Sequence, residues 1–511
     1  LMGEKEAVQE RERLAAIKAS KTPEEILEII EGARELQRRQ AAPDSPEALA
    51  TIPSLEVGDL DKRNKRIPLE IRPAGPTPVL YHDLSTNGIA YFDLAFDIHG
   101  LPERLLPYTP LFGRAFTEMG TEKEDYVALT QRISRETGGI HSQLFTAPIQ
   151  GAAMGAARLL LRGKAMRSKV GAMLGIMRDV LLTVRLDNRD RFRQMVLEEK
   201  ARCEQQLSPS GHRIVDVRLR AHFSEADWAS EQMGGVSYLF FLRKLVRMVD
   251  EDWPSVLAAL EEMRGILIAR KALIANATMD GDVWGEFEPR MQDFLNALPS
   301  QETTMGPCAW KREPSPEFEG MTMPSQVCYV GKGADLYSMG YKFNGSALVI
   351  TRFIRTSWLW DRVRVQGGAY GAFCNLSRLS GAITFVSYRD PNLVKTLEAY
   401  DETAKFLENL ELSQEELDKN IIGAIGDIDA YMLPDAKGFT SMARHLTGDT
   451  EETRQRLRDE IFATKLDDFR AFGAFLRHVN AEGIVKVLGP QSAMEAAEAG
   501  GRKSLSILKV L

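Results

Sequence analysis

The amino-acid sequence predicts an α+β fold of two similar modules, each a mostly antiparallel sheet with helices packed on one face, preceded by a helical hairpin. Three observations lead to that class. Apolar alternation with a period of two opens each predicted module and then gives way to longer stretches of helical spacing, the succession that marks α+β chains. The 511 residues, 44% hydrophobic and 27% charged, suit a chain of several globular units, each able to bury its own core. The order helix, Gly-Gly, strand occurs twice, in QRISRETGGIHSQLF at 131–145 and in WDRVRVQGGAYGAFC at 360–374.

Residues 1–66 read as a helical hairpin linker. Thr22-Pro23-Glu24-Glu25 marks a helix start: threonine caps, proline suits the first helical position, and the acids favour the positive dipole end. Leu27, Ile30 and Leu36 follow near helical spacing, Pro43, Pro46 and Pro53 close the hairpin, and a charged stretch at 59–66 leads out of it. The first module is expected over 67–300. Its strands fall at 79–81 and 89–98, where Tyr91, Asp93, Ala95 and Asp97 alternate with Phe92, Leu94, Phe96 and Ile98. Helices follow at 111–119 and 126–137, the second stopped by Gly138-Gly139, because glycine takes the left-handed conformation without a Cβ clash. After a strand near 141–146, long amphipathic helices are expected from 168 to about 298. A proline-rich linker at 301–320 precedes the second module at 321–511. There the pattern predicts strands at 325–329 and 336–343, a helix ending over 358–365, the Gly367-Gly368 stop, strands through 375 and at 381–388, and helices from 391 and 413.

Composition narrows the function. With Lys+Arg 65 against Asp+Glu 72, the net charge is −7, and no long basic run offers the stripe that nucleic acid requires. Apolar runs such as 236–242 are cut by charges well before a membrane span could form, so no membrane association is expected. The opening LMGEKEAVQERERLA has neither the basic nor the apolar region of a secretory signal, so a cytoplasmic location is expected. Cys203, Cys308, Cys328 and Cys374 show no CxxC spacing and read as reduced, mostly buried thiols. Peptides or small molecules are the expected partners.

A zinc hydrolase needs ligands locked on one helix face, as in HExxH or HxxEH. Neither motif occurs among the seven histidines; in the nearest stretch, His222-Phe223-Ser224-Glu225-Ala226, alanine stands where the second ligand would be. A GxSxG elbow, a Walker loop and a GxGxxG after a strand are absent too. The glycines of Gly367-Gly368-Ala369-Tyr370-Gly371 follow a helix instead of opening one, the reverse of a phosphate cradle. Arg364 and Tyr370 flank this turn. A forked cation and a phenol so placed suit a clamp on a substrate carbonyl or oxyanion, although such a pair, taken alone, is more often a surface arginine and a core-edge tyrosine.

Several longer segments, in order, carry a resemblance: LLPYTPLFGRAFTEMGTEKEDYVALTQRISRETGGI (105–140), ADWASEQMGGVSYLFFL (226–242), LWDRVRVQGGAYGAF (359–373) and SYRDPNLVKTLEAYDETAKFL (387–407). Together with DSPEALATIPSLEVGDL (44–60), similar to a linker between halves, they resemble the C-terminal half of presequence-protease-like metallopeptidases of the pitrilysin/insulinase family, over nearly the whole chain. The resemblance implies two halves, each of two α+β modules, closing like a clam shell around an unstructured peptide. It places the zinc, its HxxEH motif and the base glutamate in an N-terminal half absent from this chain. Leu111-Phe112-Gly113-Arg114-Ala115 stands where HxxEH would be. No metal or cofactor is therefore expected in this chain, and a zinc-bearing half, in the same polypeptide or a separate subunit, is the expected partner. The resemblance assigns Arg364 and Tyr370 as catalytic residues reaching the scissile carbonyl, with Gly367 and Gly368 beside them in the substrate-binding set. The chain alone is expected to be inactive, half of a zinc metalloendopeptidase; the alternative is a catalytically inactive peptide-binding or structural subunit of the same family.

Overall fold

The computed structural model describes residues 2–270, 273–300 and 308–511, so part of the expected linker, 301–307, lies outside the described residues. The chain divides into two compact units, Leu1–Glu56 and Val57–Leu511. In the first, helices Met2–Ala19 and Pro23–Ala41 follow one another across a short connection at 20–22. Thr22 accepts from the Glu25 amide while the Glu25 side chain accepts from the Thr22 amide, a reciprocal cap. No residue of Pro23–Ala41 is buried, so Leu27, Ile30 and Leu36 form an exposed stripe.

The second unit contains two six-stranded sheets. The first sheet comprises β1 (Glu70–Ala74), β2 (Thr77–Asp83), β3 (Ile89–Asp97), β4 (Ile140–Ala147), β5 (Ala156–Met166) and β6 (Leu273–Met279), in the order β1-β2-β6-β3-β5-β4. The second comprises β7 (Phe318–Thr322), β8 (Tyr329–Asp335), β9 (Gly371–Leu376), β10 (Ala382–Tyr388), β11 (Ile484–Gly489) and β12 (Ser506–Lys509), in the order β12-β7-β11-β8-β10-β9. Five strands correspond one to one: β2, β3, β4, β5 and β6 match β7, β8, β9, β10 and β11, with one parallel pairing (β2–β6, β7–β11) and three antiparallel ones in each set. Both Gly-Gly turns immediately precede the edge strand of their sheet, β4 and β9, and thus occupy the same topological position. The sixth strand breaks the correspondence. β1 joins antiparallel from the N-terminal side, and β12 joins parallel from the C-terminal end, so both sheets are mixed.

Four expectations need correction. The second module's first strand, β7, begins inside the stretch 301–320 expected to be a linker. Its next strand is β8, not 336–343, which forms turns around Gly340 at φ +87°. Gly331, Lys332, Gly333 and Asp335 mask the alternation of β8, while its buried positions are set by neighbours from both faces. Within the expected helical stretch of 168–298 lies β6, a strand at the centre of its sheet. The boundary expected at residue 66 also differs from the structure, where residues 57–66 belong to the larger unit. Fully buried Arg458 holds that segment to the second module, donating to the Asp61 carbonyl (2.8 Å) and pairing with Asp429 (2.7 Å).

Each module lends a helix to the other. The Gly211–Arg220 helix, from the first module, lies on the second sheet, where Val215 and Leu219 pack with Tyr329, Val386 and Leu488. The Pro434–Thr447 helix, from the second, lies on the first sheet, where Met442 packs with Leu80, Ala95 and Leu160. Both contacts depend on missing side chains: a Cβ at Gly331 would collide with Val215, and one at Gly438 with Thr278. The face of each sheet turned away from its own helices is thereby covered, and the modules are interlocked.

A buried charge network seals this junction. Arg218 forks onto Glu319 (2.9 Å to each oxygen) and reaches Glu231 (2.8 Å), while Lys486, 0% exposed, lies 3.3 Å from Glu319. Burial pushes the Lys486 ammonium down to about 8 against the pull of Glu319.

At the linker's end, Trp310 stacks on His99 (centroids 4.6 Å apart) and donates to the Leu101 carbonyl (2.9 Å). Burial alone would lower the His99 pKa, but hydrogen bonds and charge from Asp97 (3.1 Å) and Glu225 (3.3 Å) outweigh it and hold the ring's pKa up at about 9. Because the folded value lies above the ordinary 6.5, the stabilisation is complete below about pH 6.5 and is lost as pH rises through about 9. This amounts to about 3 kcal/mol. Urea midpoints across pH 6–10 should fall more steeply for the native chain than for His99→Gln; parallel profiles would show that the ring is neutral when folded.

Candidate functional site

The helix leading to the second Gly-Gly turn is wound unusually wide. Ser346–Phe353 is α-helical, but Ile354–Trp358 and Trp360–Val365 are π-helical, with the Gln366 amide donating five residues back to the Asp361 carbonyl (2.9 Å). Such widening is rare and is frequently found at functional sites. It ends at Gly368, which is left-handed at φ +78°, as the Gly368 amide donates to the Arg364 carbonyl (2.9 Å) and the Ala369 amide to the Val363 carbonyl (3.1 Å). Gly367 has a different constraint, since a Cβ there would lie 2.5 Å from the Val363 oxygen. The Asn392 side chain donates to the Gly367 carbonyl (2.5 Å) and pins the turn to the loop after β10.

Tyr370 emerges from this turn at the head of edge strand β9. Its amide donates to the Tyr388 carbonyl (3.0 Å), which fixes the backbone, while its ring stands edge-on to Tyr388 (5.6 Å) and is 68% exposed. No hydrogen bond engages its hydroxyl among the described residues. Arg364, half-buried, sits over the Trp360 ring with Cζ 3.9 Å from its centroid, and no described carboxylate pairs with it. The structure thus places Arg364 on the last helical turn and Tyr370 just past Gly368, each with donors unspent. His212, on the helix lent by the first module, packs against Tyr388 (4.7 Å) and Phe373 (5.5 Å). Both modules therefore build the floor beneath Tyr370. Sequence reasoning missed Trp360, Tyr388 and His212; only Trp360, four residues before Arg364 on one helix, carried a signal.

The same offsets from Gly138 give Arg135 and His141 in the first module. There Arg135 is held by Glu136 (2.9 Å), so the corresponding cation is not free.

Gly368→Val should strain the turn, because a β-branched residue resists positive φ, and should destabilise the chain by about 1–2 kcal/mol. Gly368→Asn should cost less, since asparagine tolerates that region. Equal melting temperatures for the two variants would show that the turn adopts another conformation.

The stretch Leu111-Phe112-Gly113-Arg114-Ala115 lies on the helix Thr109–Glu118, against β4. Arg114 reaches Glu118 (2.7 Å), Glu198 (3.1 Å) and Glu199 (3.1 Å), and buried Glu199 also pairs with Arg202. A guanidinium thus occupies the centre of these carboxylates. Among the described residues, no group of three His, Cys, Asp or Glu side chains is arranged to hold a metal ion. The residues present do not fit zinc.

Comparison with known proteins bears on this geometry. The family profile for the region associated with M16 peptidases of subfamily C matches residues 2–245, and "PreP C-terminal domain" matches 318–489. Presequence protease 1 of Arabidopsis thaliana is 43% identical over 96% of this chain and 46% of its own length. Protein HypA of Clostridium perfringens is 30% identical over 97% of this chain and 50% of its own length. The chain therefore spans about half the length of these curated relatives. Among solved structures, the peptidase M16 inactive domain of Pseudomonas fluorescens superposes with a TM-score of 0.59 at 15% identity, covering 87% of this chain and 100% of that one, a likeness of fold.

Proposed function

Because this chain belongs to the pitrilysin (M16) peptidase family and corresponds to the C-terminal half of its presequence-protease members, we propose that it is the zinc-free half of a metalloendopeptidase that degrades unstructured peptides. It supplies one wall of a closed chamber and two donors to the substrate. Tyr370 carries this reading: an exposed phenol with a free hydroxyl, held at the backbone by β10 and placed by a left-handed glycine. Arg364, with no carboxylate to neutralise it among the described residues, supports it.

The roles follow from charge. As water adds to a peptide carbonyl, negative charge grows on the oxygen, and donors placed for that charge stabilise the transition state more than the bound peptide. The Tyr370 hydroxyl would donate to the oxygen, and the Arg364 fork would supply charge and further N–H groups. Trp360 holds the guanidinium over its ring face, which lowers the entropy lost when it engages the substrate. The metal that activates water belongs, on this reading, to the partner half.

The purified chain should bind no stoichiometric zinc and cleave no fluorogenic peptide, whereas adding a zinc-bearing half should restore cleavage. Chelator-sensitive cleavage by this chain alone would overturn the reading.

A further inference from the structure

A cavity of about 400 Å3 lies at the end of β9 remote from Tyr370, beyond a strand whose six residues span roughly 20 Å. Residues 64–67, the loop at 428–432, Arg378 and the helices Pro434–Thr447 and Glu451–Phe462 wall it. Its charge does not balance. Lys65, Arg66, Arg378, Lys437, Arg444 and Arg454 line it, against Asp429 and Asp449.

The carboxylates are already engaged. Asp429 pairs with buried Arg458 (2.7 Å), Asp449 forks with Arg378 (2.6 and 3.1 Å), and Glu451 on the adjoining rim pairs with Arg66 (2.7 Å). Arg454 finds only a backbone partner, the Asp449 carbonyl (2.6 Å). Lys65, Lys437 and Arg444 have no carboxylate within ion-pair distance among the described residues. Four cations thus face one concave space without a counter-charge. Arg444 and Arg454 are half-buried, so water screens them poorly, and burial and the neighbouring Arg454 both disfavour the charged form of Arg444. Ile428, Met432 and Leu457 add apolar wall for the body of an organic ligand.

We propose that this cavity is an oxyanion-binding site that takes a phosphate or carboxylate group on the guanidinium forks of Arg444 and Arg454, with Lys65 and Lys437 closing over it. Planar forks match the oxygens of either group, and the cavity is of the size that holds a small ligand.

The test is thermal melting of the 511-residue chain with sodium tripolyphosphate, with a short peptide ending in a free carboxylate, and with the same peptide amidated, each against sodium chloride of equal ionic strength. Tripolyphosphate, the acidic peptide or both should raise the melting temperature by about 2 °C or more near saturation. Stabilisation by the acidic but not the amidated peptide identifies a carboxylate ligand; stabilisation by tripolyphosphate alone identifies a phosphate. Arg444→Gln should weaken the effect about tenfold. It should also leave the ligand-free protein at least as stable as the parent, since it breaks no ion pair and relieves repulsion. No stabilisation beyond the salt control, or an equal shift retained in both Arg444→Gln and Arg454→Gln, would overturn the proposal.

Discussion

On the proposed function, Tyr370→Phe should lower kcat of the peptidase reconstituted from this chain and a zinc-bearing half by about 10²–10³, the loss of roughly 2.7–4 kcal/mol that removing one oxyanion donor produces. The substitution deletes a hydroxyl that has no partner among the described residues, so the melting temperature should be unchanged. KM should change little, because the donor acts on charge that appears only as the carbonyl becomes tetrahedral. Arg364→Lys should also lose activity, because an ammonium cannot reproduce the planar fork of donors that Arg364 presents above Trp360. Steady-state kinetics beside melting curves separate these effects. Near-parental kcat in both variants would remove the clamp and favour a structural subunit of the same family.

Glu319→Gln should be the most destabilising single change at the junction of the two modules, by about 3–5 kcal/mol. Glu319 is 2% exposed and serves both Arg218 and Lys486. Without its charge, buried Lys486 and partly buried Arg218 share, among the described residues, only the carboxylate of buried Glu231. Glu319→Leu combined with Lys486→Met removes one charge of each sign, leaves the Arg218–Glu231 pair, and should recover most of the loss. Urea denaturation of the three proteins tests this. A single variant no less stable than the double one would show that water reaches the network.

The Gly-Gly turns were legible because each requirement is local. At Gly368 a left-handed glycine ends the helix, whereas the first helix, expected to stop in the same way, ends on extended Thr137 (φ −138°) with Gly139 following at φ +120°. In both places the Gly-Gly pair announced the repeat and the strand after it, the second with Tyr370 at its head. The capping box at Thr22 and Glu25 was readable for the same reason. β8 was not, since Gly331 and Gly333 are required by Val215 and the Ile383 carbonyl, atoms far away in sequence. β6 was hidden too: its residues are buried on both faces, which erases the alternation that reveals a half-exposed strand.

By itself, then, the sequence determined the α+β class, the duplication, the absence of a zinc motif and the two donors beside the second turn. These rest on spacing along the chain: helical and strand periods, glycine stops and fixed motifs. Only the tertiary structure decided the exchange of helices between modules, the sealing of the junction by Arg218, Glu231, Glu319 and Lys486, the guanidinium of Arg114 amid three carboxylates, and the unbalanced cavity around Arg444. Each joins residues remote in the chain whose energies depend on burial and on the sign of the neighbouring charge. Neither quantity exists until the sheets have formed and the lent helices have settled on them.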